Sequence, residues 1–113
     1  MNAMFETVVD SNTGEVKEAL TELAQRAYAT IGFVAEGYAK RLCPVDTGRL
    51  RNSITHTYDE EGVYIGTNVE YAPYVELGTS RMKARPFLKP AAEDHANEYA
   101  AILQDILSGT ETA

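Results

Sequence analysis

The stretch that decides the fold, residues 43–88, reads CPVDTGRLRNSITHTYDEEGVYIGTNVEYAPYVELGTSRMKARPFL. It holds three of the four prolines, four of the seven tyrosines and much of the basic charge. The segments before and after it have the periodic apolar pattern of amphipathic helices. The central stretch therefore specifies what is particular to this protein, and the flanking helices support it.

A β-hairpin is the clearest element of this stretch. Residues 54–58 alternate between the two faces as a half-buried strand does, and residues 63–67 provide the return strand. The loop between them ends in Gly62, a residue that tolerates a positive φ. The sequence thus predicts two antiparallel strands joined by a turn.

Turn and cap residues surround the hairpin. Asp46 is placed to cap a short helical turn that follows it, and Gly48 shapes that turn. A second short helix is predicted over residues 71–78, where Gly78 ends it. The polar and basic residues 80–85 then predict an extended arm or a loop.

One long helix is predicted before this stretch, over residues 13–43. Its apolar positions recur at alternating steps of three and four; they are Val16, Leu20, Leu23, Ala27, Ile31, Val34, Tyr38 and Leu42. Pro44 ends the helix, because the residue before a proline avoids helical dihedral angles. Gly32 and Gly37 each weaken it by about 1 kcal/mol relative to alanine, and they indicate a bend or a close approach by another element.

The two ends of the chain are predicted from shorter signals. A C-terminal helix over residues 89–108 begins near Pro90, which suits a first helical turn. At the other end, residues 5–9 form a β-prone run that predicts an edge strand. Asn12 or Thr13 is placed to cap the long helix.

Together these elements predict a single α+β domain over residues 1–113. It divides into an N-terminal segment (1–12), the long helix (13–43), the hairpin, short helix and arm (44–88) and the C-terminal helix (89–108). Both long helices are expected to pack on the small antiparallel sheet, because each must bury its apolar stripe.

The composition excludes several classes of protein. Seventeen acidic and ten basic side chains give a net charge of -7, whereas a general nucleic-acid binder is basic. The single cysteine, Cys43, cannot form an internal disulfide. No apolar run approaches the roughly 20 residues that span a bilayer, and the N-terminus lacks the pattern of a signal peptide. We therefore expect no membrane association.

No convincing catalytic or metal-binding pattern is found in the sequence. His56 and His95 fall on the apolar faces of predicted elements, where packing explains them. Together with Cys43 they lack the spacing of a zinc site. Ser53 lies close to His56 in the chain, but nothing marks the two as a hydrolase pair. We predict no catalytic residue, no cofactor and no metal.

Basic residues are concentrated in the centre, where eight of the ten lie between Lys40 and Lys89. They form two patches: Lys40, Arg41, Arg49 and Arg51, and then Arg81, Lys83, Arg85 and Lys89. One interpretation is a face that meets an acidic neighbour or passing DNA. The other is a solvated loop with salt bridges to Glu70 and Glu76.

Tyrosines crowd the same region, at positions 58, 64, 71 and 74. Tyrosine is common at protein interfaces because it is large, stiff and polar at its tip. It is equally common in half-buried sheets, so the pattern is compatible with an interface and with a core.

Three blocks in this order and spacing resemble a known family. They are PVDTGRLRNSI (44–54), VEYAPYVELGT (69–79) and ARPFLKPA (84–91). The chain resembles, over residues 15–107, the small head–tail joining proteins of long-tailed bacteriophages. The resemblance implies a structural protein of the virion, located in the neck or tail and made in the host cytoplasm.

The resemblance also implies partners. Such proteins form a ring, six-fold or a multiple of it, between the connector or stopper proteins and the tail-terminator or tail-tube proteins. DNA passes through the lumen without sequence-specific contacts. The implied chemistry is binding, and the family supplies no catalytic residue to transfer.

Candidate site residues follow from this role. Contacts to partners or to DNA are predicted for Arg49, Arg51, Arg81, Lys83, Arg85 and Lys89. Interface contacts are predicted for Tyr71, Tyr74, Phe87 and Leu88, the last two packing onto this core or a neighbour's. Turns and caps are predicted at Asp46, Gly48 and Gly78.

Two alternatives stay open. The first is a tail terminator that caps the tail tube. The second, of a different class, is a small enzyme or toxin that acts on nucleic acid with His56 and the arginines.

Overall fold

The computed structural model describes residues 13–109. The elements of this part are α1 (Thr13–Leu42), α2 (Arg49–Ser53), β1 (Thr55–Tyr58), β2 (Val63–Gly66), α3 (Ala72–Leu77), α4 (Leu88–Glu93) and α5 (Ala96–Ser108). The α+β class and the hairpin are confirmed. The predicted strand at residues 5–9 and a cap at Asn12 lie outside the described residues.

The hairpin pairs β1 with β2 in an antiparallel register that sets His56 opposite Ile65 and Tyr58 opposite Val63. Asp59 organises its turn: the backbone N–H of Asp59 donates to the carbonyl of Gly62, and the Asp59 carboxylate accepts N–H bonds from Glu61 and Gly62. An acidic side chain that satisfies two turn N–H groups explains why so polar a loop is well defined.

Helix α1 is the longest element, about 45 Å at 1.5 Å per residue. Its buried positions are mostly alanines, among them Ala27, Ala35 and Ala39, so neighbouring elements can approach its backbone closely. The hairpin lies against its C-terminal half, and Pro44 follows two residues after its end.

The C-terminal helix differs from the prediction in two ways. A turn at Asp94 and His95 divides it into α4 and α5, although no proline or glycine marks the break. The imidazole of His95 stacks on Tyr38 of α1, with ring centroids 3.5 Å apart. This contact favours the turn, because the turn directs His95 towards α1. Helix α5 then packs mainly on α1, not on the sheet as expected, while α4 contacts β2.

The core is formed by residues of the helices α1 to α4 and of the loops between them. Its central members are Ala39, Cys43, Leu50, Ile54, Val69, Ala72, Phe87 and Ala91. Phe87 is fully buried there. Of the two cores predicted to receive Phe87, its own or a neighbour's, the structure shows the first, and Leu88 packs beside it.

Candidate protein-binding groove

The turn between α1 and α2 builds one wall of a groove. Gly48 adopts φ 87°, a left-handed conformation that favours glycine, and its carbonyl accepts the N–H of Asn52 at 2.9 Å. The predicted cap at Asp46 is wrong, because Gly48 is the N-cap residue of α2 and no side chain caps that helix. Thr47 instead accepts the N–H of Arg49 at 3.2 Å.

Arg49 joins this wall to the loop before α3. Its guanidinium forms two parallel hydrogen bonds with the Glu70 carboxylate, at 3.1 and 2.9 Å, and lies 5.5 Å from the centre of the Tyr71 ring. The bonds from Arg49 lower the pKa of Glu70 below its usual range. Because the pair is exposed, it orients the loop more than it stabilises the fold.

The predicted extended arm is a compact turn. The Thr79 hydroxyl accepts the N–H groups of Arg81 and Met82, and the N–H of Arg85 donates to the carbonyl of Val75 at 2.8 Å. These bonds hold residues 80–85, which we call the basic loop, against α3. Arg81, Lys83 and Arg85 remain exposed on it.

Glu76 holds the other end of this segment. Its carboxylate accepts the backbone N–H groups of Phe87, Leu88 and Lys89 at 3.0, 2.9 and 3.0 Å, at the start of α4. Burial alone would raise the pKa of Glu76, but these N–H bonds outweigh it, so the pKa is lowered. In place of the salt bridge that the solvated-loop interpretation predicts for Glu76, this carboxylate caps the start of α4.

Between these walls lies a groove of about 300 Å³, which we call the basic groove. It is lined by the turn from Pro44 to Leu50 and by Tyr71, Val75, Met82 and Arg85. Val45 and Met82 are exposed there, so the groove offers apolar surface beside positive charge. Such a combination suits a protein partner.

The structure brings some of the predicted site residues together and separates others. Arg49, Arg85 and Tyr71 line the groove. Burial raises the pKa of the Cys43 thiol. Arg51 and Arg85 both lie near this thiol, and their positive charges oppose that larger effect. Tyr74 is exposed on α3, and Lys89 lies at the start of α4, beside another cavity.

Among the residues that the structure describes, sequence reasoning missed the two most exposed large apolar side chains. Leu77 on α3 is 77% exposed and Phe33 on α1 is 72% exposed. Phe33 falls off the apolar stripe of α1, which was the available signal that it faces outward.

The histidines are engaged in packing contacts. His56 Nδ1 lies 2.8 Å from Glu36 Oε1, while Ser53 bonds to Thr67 rather than to His56. Over residues 13–109, no group of three metal-ligating side chains is found. None of the helices in the same part has the length and hydropathy to cross a bilayer.

Comparisons with known proteins confirm the resemblance to bacteriophage tail proteins. A family model described as "Bacteriophage HK97-gp10, putative tail-component" matches residues 8–78. The chain is 35% identical over 97 residues to Mu-like prophage FluMu G protein 1 of Haemophilus influenzae. That alignment covers 85% of this chain and 62% of the relative, so the chain spans less than two thirds of that protein. No solved structure matches the chain.

Proposed function

Since the chain belongs to the HK97 gp10-like family of bacteriophage tail components, we propose that it is a structural subunit of the phage neck that joins the capsid connector to the tail. The family match carries this proposal, because it covers the turn from Pro44 to Leu50, Tyr71 and Val75, which build most of the basic groove. Copies arranged as a ring bind the neighbouring neck proteins, and the protein acts in the virion by binding rather than catalysis.

The basic groove supports this role through its chemistry. Apolar surface at Val45 and Met82 provides area that a partner can bury, and the basic loop provides charge that attracts an acidic partner. DNA passing through the ring would meet the same charges without sequence-specific contacts.

The test is complementation of a phage that lacks this gene, with particles counted by electron microscopy. Arg81→Gln, Lys83→Gln and Arg85→Gln together should leave the protein folded but yield filled heads separate from finished tails. The control Asn97→Glu, Ala100→Glu and Gln104→Glu changes the net charge equally on exposed positions of α5 and should restore joining. Normal joining by the first variant would refute the role of the basic loop.

The same micrographs distinguish a tail terminator. Because a terminator caps the tail tube, its loss should give tails of abnormal length, whereas loss of a neck subunit should give tails of normal length that stay free. An enzyme that uses His56 is less favoured, because that ring is packed against Gly32 of α1 and the nearby Ser53 bonds to Thr67 instead of His56. Nucleic-acid cleavage that disappears in a His56→Ala variant would reverse this preference.

A further inference from the structure

The outer edge of β1 is a place where another strand can pair. The Asp59 N–H donates to the Gly62 carbonyl, so these two residues form a hydrogen-bonded pair of the hairpin. Such pairs alternate along an antiparallel ladder, so the backbone of Thr57 bonds to β2. The backbone N–H and C=O groups of His56 and Tyr58 therefore point away from β2. Within residues 13–109, these outward groups have no hydrogen-bond partner. The other edge, at β2, lies beside α4.

The edge of β1 lacks three of the usual protections against pairing, although the strand is only four residues long. Strand β1 reads Thr-His-Thr-Tyr, with no lysine, no proline and no bulge. Natural sheets commonly use those features to keep exposed edges from associating. Their absence makes β1 competent to extend the sheet.

Phe33 lies on the side of α1 beyond this edge. Ile31 and Ala35 face the β2 side, since they line a cavity with Val63 and Ile65. Gly32 faces His56 of β1. Each residue turns the helix by a further 100°, so Phe33 points past β1, where it is 72% exposed.

The face of α1 around Phe33 is complementary to itself in an antiparallel arrangement. If two copies of α1 pair about residue 31, Phe33 meets Ala29 of the second copy, so a large side chain faces a small one. Glu22 likewise meets Lys40, which pairs with Glu36 of its own helix at 3.0 Å and would bind Glu22 as a second carboxylate. These contacts cover about 27 Å of helix.

From these observations we propose that the free protein forms a two-fold dimer in which β1 pairs with β1 and α1 packs on α1 of a second copy. The two hairpins become one four-stranded sheet. Their centres lie about 10 Å apart, because strands are spaced by about 4.8 Å, and this separation equals the distance at which helices pack. Both copies of α1 cover the same face of that sheet.

The strand register follows from the helix register. His56 contacts Gly32 and Glu36, so along the axis of α1 it lies level with the midpoint between these two residues. A two-fold axis at residue 31 lies about 4.5 Å from that midpoint, towards the start of α1. At the rise of a β-strand, this distance corresponds to about one residue beyond His56 along β1. The axis therefore passes beside Thr57, and outward groups of His56 bond to those of Tyr58 in the second copy.

This contact is distinct from the proposed neck function and from the basic groove. Rings close through heterologous contacts, whereas a two-fold contact uses the same surface on both copies. The dimer is thus the state of the subunit before it enters a particle. Its failure in solution would leave the neck role untouched, and the converse also holds.

A cysteine placed at the axis tests the register. Facing side chains of a non-hydrogen-bonded pair lie about 5 Å apart at Cβ, so Thr57→Cys should form a disulfide-linked dimer on oxidation of the purified full chain. Thr55→Cys is the matched control: it is exposed on the same face, yet its counterpart lies several residues away, so it should stay monomeric under denaturing electrophoresis. Absence of the Thr57→Cys dimer, or equal linkage through Thr55→Cys, would overturn the proposal.

Sedimentation velocity tests the helix contact independently. Wild type should sediment as a dimer, and Phe33→Asp should halve the measured mass, because two buried carboxylates would face the second helix. Leu77→Asp, which charges the other strongly exposed apolar side chain, should remain dimeric.

The charge pair is tested by a swap: Glu22→Lys should weaken the dimer, and Lys40→Glu added to it should restore the dimer. A monomeric wild type, or a dimeric Phe33→Asp, would refute the contact.

Discussion

Gly32 and His56 are in direct contact, with no room between the helix backbone and the imidazole ring. A Cβ built on Gly32 would lie 2.4 Å from His56 Cδ2. The ring is fixed there by Glu36 on the same helix, so it cannot move aside without losing that bond. The glycine therefore marks a close approach rather than a bend.

We expect Gly32→Ala to destabilise the protein by about 1–2 kcal/mol, because the steric cost of overpacking exceeds the gain in helix propensity. Gly37→Ala is the control. The nearest atom to its Cβ is Arg41 Nη2 at 3.8 Å, so this variant should gain about 0.5–1 kcal/mol. Urea unfolding followed by circular dichroism measures both, and stabilisation by Gly32→Ala would disprove the close contact.

Glu76→Ala should cost about 1–2 kcal/mol at pH 7, because it removes the carboxylate that caps α4. The folded pKa of Glu76 is lowered, so this contribution is present above the unfolded pKa of about 4.3 and is lost as the pH falls through the folded value. The difference from wild type in the free energy of unfolding should shrink in acid. Glu93→Ala should show a smaller effect, and a pH-independent deficit for Glu76→Ala would contradict the capping role.

Gly78→Ala should destabilise by about 2–3 kcal/mol. Its φ is 77° and its ψ 175°, a conformation that is essentially restricted to glycine, and a Cβ would lie 2.7 Å from the Ala84 backbone nitrogen. Gly109→Ala also has a positive φ but open space around it, so it should cost only about 1 kcal/mol. Thermal unfolding compares them, and equal shifts in Tm would mean that the contact with the basic loop is unimportant.

Cys43 should react slowly with a thiol reagent in the folded protein. It is buried in the core, and that burial raises the pKa of its thiol, so little thiolate is present near neutral pH. Reaction should become fast in denaturant, and absorbance of the released chromophore follows it. Rapid labelling of the native protein would show that the core around Cys43 opens readily.

Local sequence signals predicted the elements that depend on local physics. Alternation and a glycine-ended loop predicted the hairpin, and the stripe with Pro44 predicted α1 to within one residue of its end. Asp46 failed as a cap because Gly48, two residues later, takes the left-handed conformation that starts α2. A cap depends on dihedral angles that several neighbouring residues can supply, so residue type alone did not select among them.

Long-range contacts account for the other differences. The break at His95 depends on stacking with Tyr38, which is distant in sequence, and the compact basic loop depends on a backbone bond from Arg85 to Val75. The sequence left open whether Phe87 packs onto its own core or a neighbour's, because a local pattern does not show which apolar side chains fill the core. Packing placed Phe87 in its own core, whereas the position of Phe33 off the apolar stripe of α1 already indicated that it faces outward.

The sequence by itself determined the α+β class, the order of the main elements and the family, because these follow from periodicity, turn residues and motif spacing within short windows of chain. The tertiary structure alone decided where Glu76 bonds, why Gly32 is required, and which apolar side chains and which strand edge face outward. Those properties depend on the surfaces that meet when distant segments pack, and that geometry is not encoded in any local pattern.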